Sequence, residues 1–325
     1  MAISMATFQA MTVQSSTTQE TPIRFPVQLL HPKFWPLWLV YGFFKLVVAL
    51  LPYHILILLG KGLGNLAYWL MRRRRRIAQV NIKLCFPEKS PAQQQKLLHD
   101  TFKSAGASFF EVLMAWWKPE PELRRLCQIE GLEHVQKAHE AGKGVMLLTT
   151  HMSCLEMGSR LFLLHTTYAF MYKRQRNEFM EYIVQKHRTR YCKEGLKQDD
   201  IRGMLKVLKQ NKAVWYAPDQ DLGVSRSVFA PFMGVQTATI VALSKFAKIT
   251  GAKVVPYFPQ RLPGRRGYKL TILPAMKDFP TDDEVENATR INALIADHVR
   301  KVPDQYLWLH RRFKSRPEGE PSVYD

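Results

Sequence analysis

Cysteine is scarce in this chain. Cys85, Cys127, Cys154 and Cys192 are the only four among 325 residues, and no two of them make a CxxC spacing. That excludes a disulfide framework and a zinc site, and the four read as reduced thiols on the cytoplasmic side of a membrane. Nucleotide fingerprints are missing as well: neither GxGxxG nor GxxxxGKS/T occurs, so the usual dinucleotide and P-loop sites are absent. No internal repeat and no low-complexity tract interrupts the chain. Acidic residues are few, with 27 Asp and Glu against 47 Lys and Arg, a formal charge of +20. Such an excess needs an anionic partner, and nucleic acid, anionic lipid and an acidic protein are the candidates. The chain is 46% hydrophobic, enough for a sizeable core. Its length fits two domains or one α/β domain with additions.

Charge is also nearly absent from one long stretch. Between Phe34 and Gly60 the single formal charge is Lys45, and a bilayer-spanning helix needs about 20 mostly apolar residues. Pro52 divides the run, which predicts a membrane helix over 36–51 and an amphipathic continuation to residue 70. Lys45 snorkels or faces protein. Trp35, Trp38 and Tyr41 stand where an interfacial aromatic belt would be. The five arginines Arg72 to Arg76 follow as a cytoplasmic flank that attracts anionic headgroups. A buried core helix followed by a solvated basic stretch is the competing reading. A cleaved signal peptide is not expected, because no long apolar run precedes residue 34 and no A-x-A site ends the run. The chain therefore divides into a poorly ordered tail at 1–33, an anchor at 34–60 and a main domain at 61–325.

Farther along, Ser90-Pro91 reads as an N-cap with proline at the first helical position. The helix it opens runs to Trp117 and is ended by Pro119 and Pro121. Strands at 144–150, 168–172, 213–218, 252–258 and 268–274 then alternate with helices at 153–165, 177–190, 200–211, 237–249 and 282–301. A long loop is expected over 218–236. The alternation predicts an α/β sheet flanked by helices, with ligands bound outside the carboxyl ends of its strands.

Those strand ends carry the candidate chemistry. The first is followed by His151 and, five residues on, by Glu156. On one continuous helix the two side chains would point about 140° apart; they meet more easily if His151 lies in the strand-to-helix turn. The carboxylate then holds one ring nitrogen and leaves the other as a general base. A satisfied histidine near a surface glutamate is the bland alternative. Asp219 and Asp221 follow the strand at 213–218 and suit a cation or, equally, a turn. Arg188 and Arg190 close a helix, and guanidinium forks suit phosphate. Lys206, Lys209 and Lys212 read as a solvated face. The C-terminal WLHRRFKSRP (308–317) is basic and aromatic, but no RNP, zinc-finger or helix-turn-helix pattern accompanies it. Cys154 reads as a buried thiol rather than a nucleophile.

Longer stretches carry a resemblance. LLHPKFW (29–35), NIKLCFPE (81–88), the His151–Glu156 pair, VWYAPDQDLG (214–223), SVFAPFMGV (227–235) and YLWLHRRFKSRPEGEPSVY (306–324) resemble the bacterial lipid A biosynthesis late acyltransferases, the lauroyl type above all. KRQRNE at 173–178 departs from that type. The resemblance implies a glycerolipid-acyltransferase-like α/β fold, a mixed sheet flanked by helices, with an N-terminal transmembrane helix. It implies a single-pass inner-membrane enzyme with its catalytic domain, 61–325, on the cytoplasmic side. The donor would be acyl carrier protein, the acceptor a 3-hydroxyacyl hydroxyl of Kdo2-lipid IVA, with anionic membrane lipids as further partners and no nucleic acid, metal or cofactor. His151 would take the hydroxyl proton and Glu156 fix its tautomer. Arg188, with Arg190, would hold acceptor phosphate, and Asp219 would order the site loop. A myristoyl-type relative and a non-catalytic basic lipid-binding protein are the alternatives.

Overall fold

A computed structural model describes residues 24–172, 174–192, 195–197 and 200–325. Most of the expected N-terminal tail (1–23) and Lys173, which opens the divergent KRQRNE stretch, lie outside the described residues.

Two short 3-10 turns lead into α1 (Trp35–Leu50), and Pro52 breaks the chain before α2 (Tyr53–Leu70). Together with the turn before it, α1 is the one stretch among the described residues long and apolar enough to cross a membrane. Leu39, Val40, Phe43, Leu46 and Leu50 on α1 are exposed, as are Leu58, Leu59, Leu63, Leu66, Trp69 and Leu70 on α2. The expected boundary after Gly60 falls inside α2. One face of it is exposed along the helix, while Leu56, Ile57, Gly60, Gly64 and Tyr68 are buried and its glycines hold it to the domain. A Cβ on Gly64 would lie 2.2 Å from Phe102 O, and one on Gly106 would lie 2.2 Å from Gly60 O. Only hydrogen at these positions lets the two backbones touch.

The arginine cluster is itself helical, opening α3 (Arg72–Cys85). The long helix α4 (Pro91–Trp117) starts as the sequence predicts: Ser90 and Gln93 form a reciprocal capping box with proline at the first helical position, satisfying two otherwise orphan amides. Then come α5 (Glu120–Arg125), β1 (Cys127–Glu130), α6 (Leu132–Glu140), β2 (Val145–Leu148), α7 (Leu155–Phe162), β3 (Ala169–Tyr172), α8 (Glu178–Tyr191), β4 (Gly195–Lys197), α9 (Ile201–Lys209) and β5 (Ala213–Tyr216). The remainder is β6 (Ser227–Phe232), β7 (Val235–Ile240), α10 (Ala242–Thr250), β8 (Lys253–Arg261), β9 (Tyr268–Ile272) and α11 (Glu284–Lys301).

Seven strands form one mixed sheet in the order β1-β9-β8-β2-β5-β3-β4. All neighbouring pairs are parallel except β8–β9. Central β2 is wholly buried, which explains its unbroken apolar run. One expectation fails between 218 and 249. The long loop contains a strand, and the first part of the expected 237–249 helix is its partner, so β6 and β7 form a separate antiparallel hairpin. Its tight turn uses Met233 and Gly234, both at positive φ (49° and 85°), the conformation that matches strand twist. Thr237, Thr239 and Ile240 extend readily and are buried there, and the helix begins only at Ala242.

Candidate active site

In the β2–β5 pair, Leu148 lies opposite Tyr216. Three residues past each strand end, equal steps bring His151 and Asp219 side by side. His151 Nδ1 lies 2.6 Å from Asp219 Oδ1. The other oxygen, Oδ2, accepts from the Thr150 hydroxyl at 2.5 Å and from the His151 backbone N–H at 2.9 Å. Asp219 is buried while His151 keeps about a quarter of its side chain exposed (1% and 24%). Burial opposes ionisation of Asp219, yet His151 and these donors hold its carboxyl far below the usual range. Burial alone would likewise depress His151. The charge and hydrogen bond of Asp219 outweigh it and raise the imidazole above its ordinary value.

Glu156 occupies the first turn of α7, with His151 in the preceding turn as the spacing required. It does not hold the ring. Oε1 accepts from Arg188 Nε at 3.1 Å and from Trp116 Nε1 at 3.2 Å, and Oε2 accepts from Arg188 Nη2 at 2.5 Å. The contacts differ from those the spacing suggested. Asp219, rather than Glu156, meets the His151 ring, and it also bonds the turn through Thr150 and the His151 N–H. Arg188, expected to hold acceptor phosphate, directs its Nε and Nη2 at Glu156 and lies over Phe170. Arg190 is exposed and lies over the Tyr191 ring. Asp221 is a fastener: its carboxylate accepts from the Ser315 backbone N–H and hydroxyl and from Gly223 N–H. No group of ligands suited to a metal ion occurs among the described residues. Cys154 is fully buried, which pushes its thiol far up and removes it as a nucleophile.

His151 and Glu156 line one cleft of about 310 Å³. Its walls are the Thr101, Ala105, Ser108 and Val112 face of α4 and the segment of Tyr306, Leu307 and Leu309. That segment is tied to the His151 turn by Leu307 N–H donating to His151 O and Ser153 N–H donating to Gln305 O. From α3, Asn81 Nδ2 donates to the carbonyls of Trp308 and His310, and Arg74 Nη1 to that of Leu309. A buried pair, Arg261 and Glu111 at 2.8 Å, braces α4 from behind.

Behind Glu156 stands an aromatic group that sequence reasoning missed. Trp116 stacks on His187 (4.9 Å between centroids, 3° between planes), and His187 Nε2 shares a 2.9 Å hydrogen bond with Tyr41 of α1. Burial, reinforced by Lys186 and Arg190, lowers His187 to about 4, so it is neutral at neutral pH. Helix α1 is thereby wired to the Glu156 pair. The legible signal was the Trp116-Trp117 doublet ending α4, although nothing local says what it faces.

Glu156→Gln leaves Arg188 without its counter-charge. The variant should lose about 1–3 kcal/mol, less than the 3–5 kcal/mol of a fully buried pair because Arg188 is a third exposed (34%). A double-mutant cycle with Arg188→Gln, read by thermal denaturation, checks this: additive losses would show that the two side chains do not couple.

A family model for bacterial lipid A biosynthesis acyltransferases matches residues 23–315. The chain is 39% identical over 302 residues to the lipid A biosynthesis lauroyltransferase of Escherichia coli K12, an alignment covering 93% of this chain and 98% of that protein. It is 36% identical to the lipid A biosynthesis palmitoleoyltransferase of the same organism, over 93% and 98%. Identity to the myristoyltransferase of that organism is 27%, over 92% and 93%. A histidine at a strand's carboxyl end in an α/β sheet, facing a cleft, is thus found in a chain related throughout its length to acyl-transferring enzymes. The chain belongs to the bacterial lipid A biosynthesis acyltransferases. It is an enzyme, and the non-catalytic binding-protein alternative falls.

Proposed function

We propose that the chain moves a fatty acyl group, lauroyl in the first instance, from acyl carrier protein to a 3-hydroxyacyl hydroxyl of Kdo2-lipid IVA. The observation that carries this reading is the His151–Asp219 contact at the edge of the cleft that Glu156 shares. Asp219 accepts the Nδ1 proton, so Nε2 carries the lone pair. That nitrogen takes the proton of the acceptor hydroxyl as its oxygen attacks the thioester carbonyl. The new C–O bond forms, the C–S bond breaks, and the imidazolium returns the proton to the leaving thiolate. Asp219 stabilises the imidazolium meanwhile, as the buried carboxylate of a catalytic triad does. Glu156 lines the same cleft and is held there by Arg188, and no metal or cofactor is assigned.

The choice of lauroyl rests on similarity to a lauroyltransferase. A pocket distinguishes one methylene by only about 1–3 kcal/mol, so palmitoleoyl and myristoyl donors are the natural competitors. The apolar faces of α1 and α2 suit an enzyme seated in the inner membrane, with its catalytic domain on the cytoplasmic side where acyl carrier protein is found. Mass spectrometry of Kdo2-lipid IVA incubated with the protein and mixed acyl carrier protein thioesters tests the reading. The expected product carries one further chain, chiefly lauroyl. An unmodified acceptor would sink the proposal, and a dominant palmitoleoyl or myristoyl product would move the donor assignment.

A further inference from the structure

With Arg188 engaged by Glu156, another cation must meet the acceptor's phosphates if the proposed reaction is right. The arginines opening α3 are placed for it. Arg72, Arg73, Arg74 and Arg76 are exposed, and no carboxylate pairs with any of the five among the described residues. The first turn of α3 contains no acid, so five cations crowd the positive end of a helix dipole, an arrangement that costs stability for each charge. An anion resting there would relieve it.

Two neighbours specify which anion. The exposed apolar face of α2 (Leu63, Leu66, Trp69 and Leu70), continued by exposed Met71, ends directly before Arg72. On the other side Arg74 bonds the carbonyl of Leu309, whose residue lines the cleft with His151. The cluster therefore lies where a lipid-facing surface meets the rim of the catalytic cleft. Bulk membrane attraction needs only the first neighbour, whereas an amphiphilic substrate uses both.

We infer that these arginines form the headgroup site of the lipid acceptor, holding its phosphates while one of its acyl chains enters the His151 cleft. The inference rests on the proposed acyl transfer for the identity of the lipid.

The test measures binding without any acyl donor, using the full chain in uncharged maltoside micelles. The variant Arg72→Gln/Arg73→Gln/Arg76→Gln removes three charges but keeps the Arg74 link and the stacking of Arg75 on Tyr68 and Trp69. Circular dichroism and the melting temperature verify its fold. Probes are phosphorylated Kdo2-lipid IVA and the same lipid stripped of phosphate by a phosphatase. The variant should lose on the order of tenfold in affinity for the phosphorylated lipid, the sum of three exposed contacts. It should bind the stripped lipid as the wild type does. Equal binding of the phosphorylated lipid by both proteins would overturn the inference. So would a loss seen only against phosphatidylglycerol vesicles, which would make the cluster a general membrane contact. Because no donor is present, a wild-type protein that binds but never transfers would refute the acyl-transfer reading and leave this site standing.

Discussion

His151→Ala lowers the rate of acyl transfer by about 10²- to 10⁴-fold, the usual contribution of a positioned general base. The loss is in turnover, since the imidazole takes a proton only as the acceptor oxygen attacks. The ring is partly exposed at the cleft edge, but its removal takes a partner from buried Asp219, so the melting temperature should also fall and the rate is compared at a temperature where the variant is folded. Transfer of a radiolabelled acyl group under single-turnover conditions gives the number. Retention of more than a tenth of the wild-type rate in a folded variant would remove His151 as the base. In the wild type the base must be neutral, and Asp219 holds its pKa above the ordinary histidine value. The rate should therefore rise with pH through an ionisation above about 6.5 and plateau on the alkaline side.

Asp219→Asn is the more specific disruption, because the geometry decides how the amide must sit. Two donors, the Thr150 hydroxyl and the His151 N–H, point at Oδ2 and require an oxygen there. The asparagine NH2 then takes the Oδ1 position and points its hydrogens at His151 Nδ1. That forces the proton onto Nε2, leaving the ring unable to accept one from the acceptor. The expected loss is on the order of 10⁴-fold, as for the equivalent change in a serine-protease triad. Without the carboxylate charge the imidazole pKa also falls, so residual activity should have its acidic limb at lower pH. A histidine resonance followed by NMR as pH changes reads this shift independently of turnover. A variant with an unmoved titration and near-normal rate would return Asp219 to the loop-ordering function that its sequence position suggested.

Much of this architecture was legible residue by residue. The Ser90-Pro91 start of α4, the break at Pro52, the buried run of β2 and the placing of His151 between strand and helix each rest on local physics: capping, a missing amide donor and hydrophobic periodicity. The failures share one cause. The β6–β7 hairpin depends on a two-residue turn at Met233-Gly234 inside a stretch whose turn residues read equally well as a loop. A positive-φ turn becomes compulsory only when the flanking segments pair.

The partners within the site show the same division. The linear spacing brought His151 and Glu156 together as candidates because they are neighbours in the chain. Asp219 lies 68 residues away and reaches His151 through the parallel register of β2 and β5. Arg188 reaches Glu156 from α8, and Trp116 from the end of α4. Which carboxylate holds the imidazole is a question of sub-ångström distance and strand register, and those are properties of packing. By itself the sequence determined the class of fold, the apolar N-terminal helices, the basic charge and the residue types at the strand ends, since each follows from local composition and periodicity. Only the tertiary structure assigned Asp219 to the ring, Glu156 to Arg188 and the α3 arginines to the cleft rim, because charges and hydrogen bonds are satisfied between whatever groups the fold brings within about 3 Å.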